Sequence, residues 1–228
     1  VSIDYTAALL ANQHPYPNHV TYQPIIAFEQ KCFEAAAHII SWSDKARESV
    51  IKDYKISSEK VTTIRPSLPL NLFNSIARKP AKEDKIRLLF VGNDFARKGG
   101  EDLLAVFLED FMNVCELDIV TNANLNLPNI PNLRIHRGIR PLSLDLINLY
   151  QKADVFVMPT YEEVYGLVFG EAMAAGLPCI GTNIMAVPEL VQNGRNGFTI
   201  APGDRQALSQ SLRQLIDNPA LRLLMGQY

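Results

Sequence analysis

From Ile86 onward, short apolar runs alternate with stretches of helical period. "IRLLFVGN" (86–93) is a run of large and β-branched residues and predicts a strand. Gly99 to Leu108 predicts a helix, and "LDIV" (117–120) and "LRIHR" (133–137) predict two more strands. Leu142 to Gln151 predicts a helix, with Leu144, Ile147 and Leu149 on its apolar positions. "DVFVMP" (154–159) has no polar/apolar alternation after Asp154, which is the pattern of a strand covered on both faces. A helix over Val168–Ala175, the strand "CIGT" (179–182), a helical turn near Pro188–Val191 and the strand "GFTI" (197–200) follow. The last helix starts near Gly203–Asp204 and stops around "DNP" (217–219). Strands and helices alternating at this spacing predict βαβ units, hence a parallel sheet with helices on both faces.

Residues before this region are less regular. "VSIDY" reads as a strand, and "TYQPIIAFEQKCFEAAAHII" as a helix running into a strand at 38–42. Ser43 reads as the N-cap of a helix reaching about Tyr54, and "VTTIRP" (61–66) as a short strand. The expected organisation is therefore a partial α/β domain over 1–66, a linker over 67–85, and an α/β domain over 86–228. The linker assignment rests on "PSLPL" and the charged "ARKPAKEDK".

Composition narrows the function classes. The 228 residues are 47% apolar and 20% charged, with a net charge of −2, as in ordinary globular proteins. The scattered Lys and Arg residues argue against a nucleic-acid partner. Three cysteines, Cys32, Cys115 and Cys179, are too few and too far apart for a disulfide framework or a zinc site. A reducing, cytoplasmic setting fits them better. No run approaches the about 20 apolar residues of a membrane span. His14 and His19 lie in "HPYPNH", which reads as a proline-rich surface loop rather than a metal site.

Ligands of open parallel sheets bind beyond the carboxyl ends of the strands, where strand order reverses. With the common order 3-2-1-4-5-6, that point lies between the first strand of the larger domain, which ends in "VGNDFARKGG" (91–100), and the fourth, which ends in "PTYEEVYGLVFGE" (159–171). The first loop sets Arg97 and Lys98 before Gly99–Gly100 at a helix start, a pattern suited to an anion. In the second, Gly166 precedes a helix whose free N–H groups, at about Leu167 and Val168, can hold an oxygen-rich group. Glu171 is anomalous: it sits among Ala172, Met173, Ala174 and Ala175, in a helix that otherwise reads as buried. A carboxylate there can accept both hydroxyls of a ribose, and Glu163 a hydroxyl of a second sugar. Carboxylates flanking a cationic diphosphate site describe a pocket for a nucleotide sugar. Each residue also has a plainer reading: Lys98 as a solvated charge, Arg97 as the partner of a nearby acid, Glu171 as a dipole-favoured helix residue. Glu162 rather than Glu163 could be the one turned inward.

"EEVYGLVFGEAMAAGLPCIGT" resembles the E-x7-E signature of GT4 glycosyltransferases of the GT-B fold, through Glu163 and Glu171. Four further segments resemble that family in the same order: "AAHIISWSDKARESVIKDY", "LLFVGNDFARKGG", "HRGIRPLSLDLINLYQKADVFVMPT" and "VPELVQNGRNGFTIAPGD". The resemblance implies a Rossmann-like doubly wound C-terminal domain, plus part of an N-terminal one. It implies that Lys98 and Arg97 neutralise the diphosphate and assist the leaving group, that Glu171 binds the ribose, and that Glu163 binds the transferred sugar with the backbone of Tyr165, Gly166, Leu167 and Val168. Gly92 and Asn93 belong to its phosphate loop, and main chain at Gly138 and Ile139 would hold the base. Asp4, near where many relatives carry a histidine, would face the cleft.

The implied reaction is a retaining, metal-independent sugar transfer from a nucleotide-diphosphate donor, expected to be UDP-linked, to a hydroxyl acceptor on a sugar, lipid or polysaccharide. No D-x-D motif, the usual metal–diphosphate signature of the other main glycosyltransferase fold, is present. Asn93 stands where many relatives have arginine, and "IMAVPE" (184–189) lacks the paired glycines often found there. The resemblance also implies that the chain is an internal portion of a longer enzyme, one that could touch a membrane peripherally. By itself it is expected to bind donor weakly and to turn over slowly or not at all. A non-catalytic nucleotide-sugar-binding protein and a GT-B-fold nucleotide-sugar 2-epimerase remain alternatives. An oxidoreductase is disfavoured, since no G-x-G-x-x-G follows the first strand of the larger domain.

Overall fold

A computed structural model describes residues 1–13, 18–74, 85–127 and 129–228. The chain divides into two compact units, Val1–Ser67 and Leu68–Tyr228.

In the first unit, β1 (Ser2–Ile3), β2 (Ile39–Ser41) and β3 (Val61–Thr63) form a parallel sheet in the order β1-β2-β3. Helices α1 (Ala7–Gln13), α2 (Asn18–Ala35) and α3 (Asp44–Lys52) connect them. Ser43 caps α3 as expected, its Oγ accepting from Ala46 N at 3.1 Å. The unit closes around Phe33, Ile39, Val50, Tyr54 and Val61. The pattern of the sequence did not announce α1. It is started by Thr6, whose Oγ1 accepts from Leu9 N, and by Glu29 of α2, whose carboxylate accepts from Ala7 N. Residues 14–17 of "HPYPNH" lie outside the described residues, and from Asn18 the chain is already helical rather than loop.

The second unit opens with α4 (Leu70–Asn74), inside the segment expected to be linker. Phe73 is buried there and joins the main core, so this part of the segment is anchored; residues 75–84 lie outside the described residues. Six strands follow: β4 (Ile86–Val91), β5 (Cys115–Val120), β6 (Leu133–His136), β7 (Val155–Val157), β8 (Cys179–Thr182) and β9 (Gly197–Ile200). All pair in parallel, in the order β6-β5-β4-β7-β8-β9. This is the expected 3-2-1-4-5-6 order. The fold is an α/β doubly wound sheet, with β4 buried because Leu88 faces Leu117 on one side and Val155 on the other.

The crossover helices are α5 (Gly100–Val106, continued by a wider turn to Phe111), α6 (Leu144–Lys152), α7 (Leu167–Ala174) and α8 (Val187–Leu190). Right-handed crossovers put α5 on one face of the sheet and α6 and α7 on the other. Helix α9 (Arg205–Asp217) packs back against α5. The core holds Phe90, Phe107, Phe156 and Phe169, with Phe156 and Phe169 edge to face at 5.4 Å. Full burial of each such ring contributes about 1.5–3 kcal/mol. "DNP" ends α9 as expected but does not end the helical region. Asn218 caps a further helix, α10 (Pro219–Met225), and Pro219 occupies its first position, where the missing N–H is not needed.

Candidate functional site

The sheet topology places the ends of β4 and β7 next to each other, and the loops that follow them are stitched together. Arg97 O accepts from Tyr161 N at 2.9 Å. Lys98 Nζ donates to Glu162 O at 3.0 Å and to Glu163 Oε2 at 2.8 Å. Gly99 makes the approach possible. It has φ +75°, and a Cβ there would lie 2.0 Å from Pro159 O. Thr160 ties the second loop to itself, its Oγ1 donating to Glu162 O, while Thr182 of β8 donates to Thr160 O at 2.7 Å. Tyr161 is fixed from outside by Asp102 of α5, which Arg205 of α9 also grips at 2.6 Å.

Lys98 and Glu163 form an ion pair in which the side chains are only 15% and 14% exposed. Glu163, not Glu162, is therefore the inward carboxylate; the Glu162 side chain is 43% exposed. The stem of Lys98 lies over Gly92, where a Cβ would come within 3.1 Å of it. Arg97 follows the plainer of its two readings. Its Nε donates to Asp94 Oδ2 at 2.8 Å, and its side chain stands at the surface. The cationic character of the loop belongs to these side chains rather than to its backbone. The N–H groups of Lys98, Gly99 and Gly100 are taken by the carbonyls of Asp94, Ala96 and Phe95.

Gly166 begins α7 with φ +90°, a value that glycine adopts without a steric penalty, and a Cβ there would crowd the Phe169 ring. Beyond it, the N–H groups of Leu167 and Val168 have no acceptor among the described residues. Tyr165 is buried beside them. Glu171 lies one helical repeat past Leu167, on the same side of α7. It is 7% exposed, and its Oε2 accepts from the buried Tyr150 hydroxyl at 2.9 Å. Burial pushes its carboxyl above the usual carboxylate range, and the Tyr150 hydrogen bond partly offsets this.

The ends of β4, β5 and β6 form a second stitched group. Asn93 Oδ1 accepts from Asn122 N at 3.2 Å, and Asn122 Oδ1 accepts from Gly138 N at 2.9 Å. The Gly138 N–H is thus already engaged inside the protein. Asp4 follows β1 in the first unit and is not among the residues that the second unit gathers.

The sequence reading missed two residues of this site. Asn122 bridges the first and third strand ends, but one asparagine after a strand is a common turn residue and carries no distinguishing signal. Tyr150 reads as one more apolar position of α6 until α6 and α7 are known to be neighbours.

The chain thus has an open, doubly wound α/β domain with a lysine–glutamate pair and a helix-borne carboxylate at its switch point, the edge at which proteins of this fold class take their ligands. Residues 82–218 match the sequence profile of "Glycosyl transferases group 1", and the chain belongs to this family. It is 28% identical over 224 residues to the D-inositol 3-phosphate glycosyltransferase of Streptomyces avermitilis, covering 87% of this chain and 48% of that protein. It is similar in fold to the sucrose-phosphate synthase of Thermosynechococcus elongatus, with a TM-score of 0.77 at 20% identity, over 99% of this chain and 60% of that one. It is likewise similar to Anabaena Alr3699/HepE, solved in complex with UDP and glucose, with a TM-score of 0.73 at 17% identity, over 94% of this chain and 62% of that one. The chain spans about half the length of the curated relatives it matches.

Proposed function

We propose that this chain carries the donor site of a glycosyltransferase that moves a sugar from a nucleotide diphosphate, UDP-linked, to a hydroxyl acceptor. The observation that carries the proposal is the convergence of Lys98 with Glu163 at 2.8 Å, across loops far apart in sequence, in the loop that leads into α7. Lys98 meets the diphosphate, with Arg97 adding charge from the rim. Glu163 and the main chain of Tyr165–Val168 hold the transferred sugar, and Glu171 holds the ribose. The base lies against Ile139 and the Gly138 carbonyl, beside Gly92 and Asn93.

In the transfer, the anomeric carbon–oxygen bond to the diphosphate breaks, a bond to the acceptor oxygen forms, and the proton of the acceptor hydroxyl passes to the departing phosphate oxygen. Negative charge grows on the departing phosphate oxygen as the sugar becomes oxocarbenium-like. A cation fixed there beforehand lowers the barrier, because it need not reorganise when the charge appears. Retention of the anomeric configuration and independence from metal are part of the same reading. The metal-independent part is supported by the two basic side chains, Lys98 and Arg97, that this reading sets at the diphosphate. The acceptor is a sugar, lipid or polysaccharide hydroxyl. No helix among the described residues is long and apolar enough to cross a membrane. Peripheral membrane contact and a cytoplasmic location belong to the proposal.

Isothermal titration with UDP and GDP tests the donor site. Saturable heat with UDP, lost in Lys98→Ala, supports it. The absence of heat and of a thermal shift with either nucleotide contradicts it.

A further inference from the structure

Glu171 is the one carboxylate of the site held from behind by a buried hydroxyl. Tyr150 sits on α6, fully buried, with its ring between those of Phe73 and Phe156 at centroid distances of 6.4 and 5.9 Å. Its hydroxyl reaches Glu171 Oε2 at 2.9 Å; the Val168 carbonyl is more distant, at 3.4 Å. The other carboxylate oxygen, Oε1, has no partner among the described residues and keeps contact with solvent. The carboxylate therefore has an inner end, bonded within the protein, and an outer end left as an acceptor.

We infer that Tyr150 is a positioning residue for nucleotide recognition: its hydroxyl pins one oxygen of Glu171 and so aims the other at the vicinal diol of the nucleoside.

The inference rests on the donor-site reading above and adds to it a residue that touches no ligand. Three physical points support it. A free carboxylate samples several side-chain rotamers, and ordering one opposes binding, whereas a carboxylate already ordered binds without that loss. A hydroxyl donating to an ionised acceptor in a low-dielectric surrounding is among the stronger neutral-to-charged hydrogen bonds. Finally, burial and the adjacent Glu171 charge push the Tyr150 phenol well above its usual range, so it remains a donor wherever the protein is folded. The rings that flank Tyr150 hold the hydroxyl in place, so the alignment does not depend on a mobile loop.

The test is a cycle between protein and ligand. UDP and 2′,3′-dideoxy-UDP are titrated into the wild-type chain, Tyr150→Phe, Glu171→Gln and the double variant, with thermal unfolding recorded for each. The phenyl ring fills the space of the phenol, so only the hydroxyl is removed. The expected result is that Tyr150→Phe weakens UDP about tenfold and leaves the dideoxy ligand within about twofold of wild type. Adding Tyr150→Phe to Glu171→Gln is then expected to weaken UDP by less than it does in the wild-type background, because the two residues act through one contact.

Equal weakening of both ligands overturns the inference, as does no weakening of either, or fully additive variants. A Tyr150→Phe chain that no longer folds overturns it too, since that assigns the hydroxyl to the core rather than to the site. If the wild-type chain binds UDP but does not prefer it over the dideoxy ligand, the assignment of Glu171 to the ribose fails, and this inference fails with it. If the wild-type chain prefers UDP while Tyr150→Phe changes nothing, the donor-site reading stands and only the role of Tyr150 is lost.

Discussion

Replacing Glu163 by glutamine removes a charge that a bound diphosphate has to compete with. The Lys98 ammonium is neutralised by Glu163 at 2.8 Å, with both side chains largely shielded. A phosphate oxygen that takes an ordinary charge-assisted bond from the same ammonium stands about 5 Å from the carboxylate, given bonds of about 2.8 Å on each side. Coulomb's law at an effective dielectric of about 20 gives a repulsion of about 3 kcal/mol for unit charges at that separation. Water at the mouth of the site reduces this to about 1–2 kcal/mol, which is about fivefold to thirtyfold in Kd. Glu163→Gln is therefore expected to bind UDP more tightly than wild type, while a longer chain with transferase activity loses turnover through the same change. Isothermal titration with UDP at low and high salt reads the effect, and the gain shrinks as salt screens it. Equal or weaker binding of UDP by Glu163→Gln at neutral pH refutes this account of the pair.

Gly99→Ala is expected to destabilise the chain by more than about 3 kcal/mol and to abolish UDP binding, because its Cβ would lie 2.0 Å from Pro159 O at a φ of +75°; thermal unfolding and titration check both. In an active longer chain, Lys98→Ala is expected to lower kcat about 100-fold to 1,000-fold, as for loss of one preorganised charge contact. Arg97→Ala is expected to cost less than that, since the Arg97 side chain is 42% exposed and already engaged by Asp94. Steady-state kinetics that show the reverse order contradict the assignment of Lys98 as the inner cation. Binding of UDP is expected to weaken as pH falls through the carboxyl range of Glu171, which burial raises above the ordinary value of 4.5, and the dideoxy ligand is expected not to share that loss. For stability the sign is opposite: a raised carboxyl favours the protonated fold, so the contribution of Glu171 is present below the unfolded value and is lost as pH rises through the folded one. Glu116, lowered chiefly by its bond from Arg134 and also by Arg87, contributes above its unfolded value and loses that contribution as pH falls through the folded one. Titrations and melts at matched pH separate the two effects.

The strands of the larger unit were legible because continuous apolar runs have one good solution, burial on both faces of a sheet. The order of those strands, once assumed, brought 97–98 and 163–171 together, and the structure shows the same convergence. What the sequence could not show lies in local turns and caps and in partners far along the chain. Arg97 finds Asp94 because the turn between them closes, and a turn leaves no periodic trace. Gly138 gives its N–H to Asn122, so a backbone group expected to face the base is already committed. Helices α1 and α10 were missed for a related reason: each is short and starts at a cap, Thr6 with Glu29 in one case and Asn218 with Pro219 in the other. The resemblance of the motifs extended the reading to expected roles, but the Tyr150–Glu171 contact came only from the packing of α6 beside α7.

The central claim is that the loop after β4 and the start of α7 form one site for a nucleoside diphosphate. A crystal structure of the chain with UDP bound tests it most directly. The account predicts the diphosphate within hydrogen-bonding distance of Lys98 Nζ, with the Lys98–Glu163 pair kept, and the ribose hydroxyls on Glu171 Oε1. UDP bound elsewhere on the molecule, or bound here with its ribose turned away from Glu171 and its phosphates away from Lys98, contradicts it.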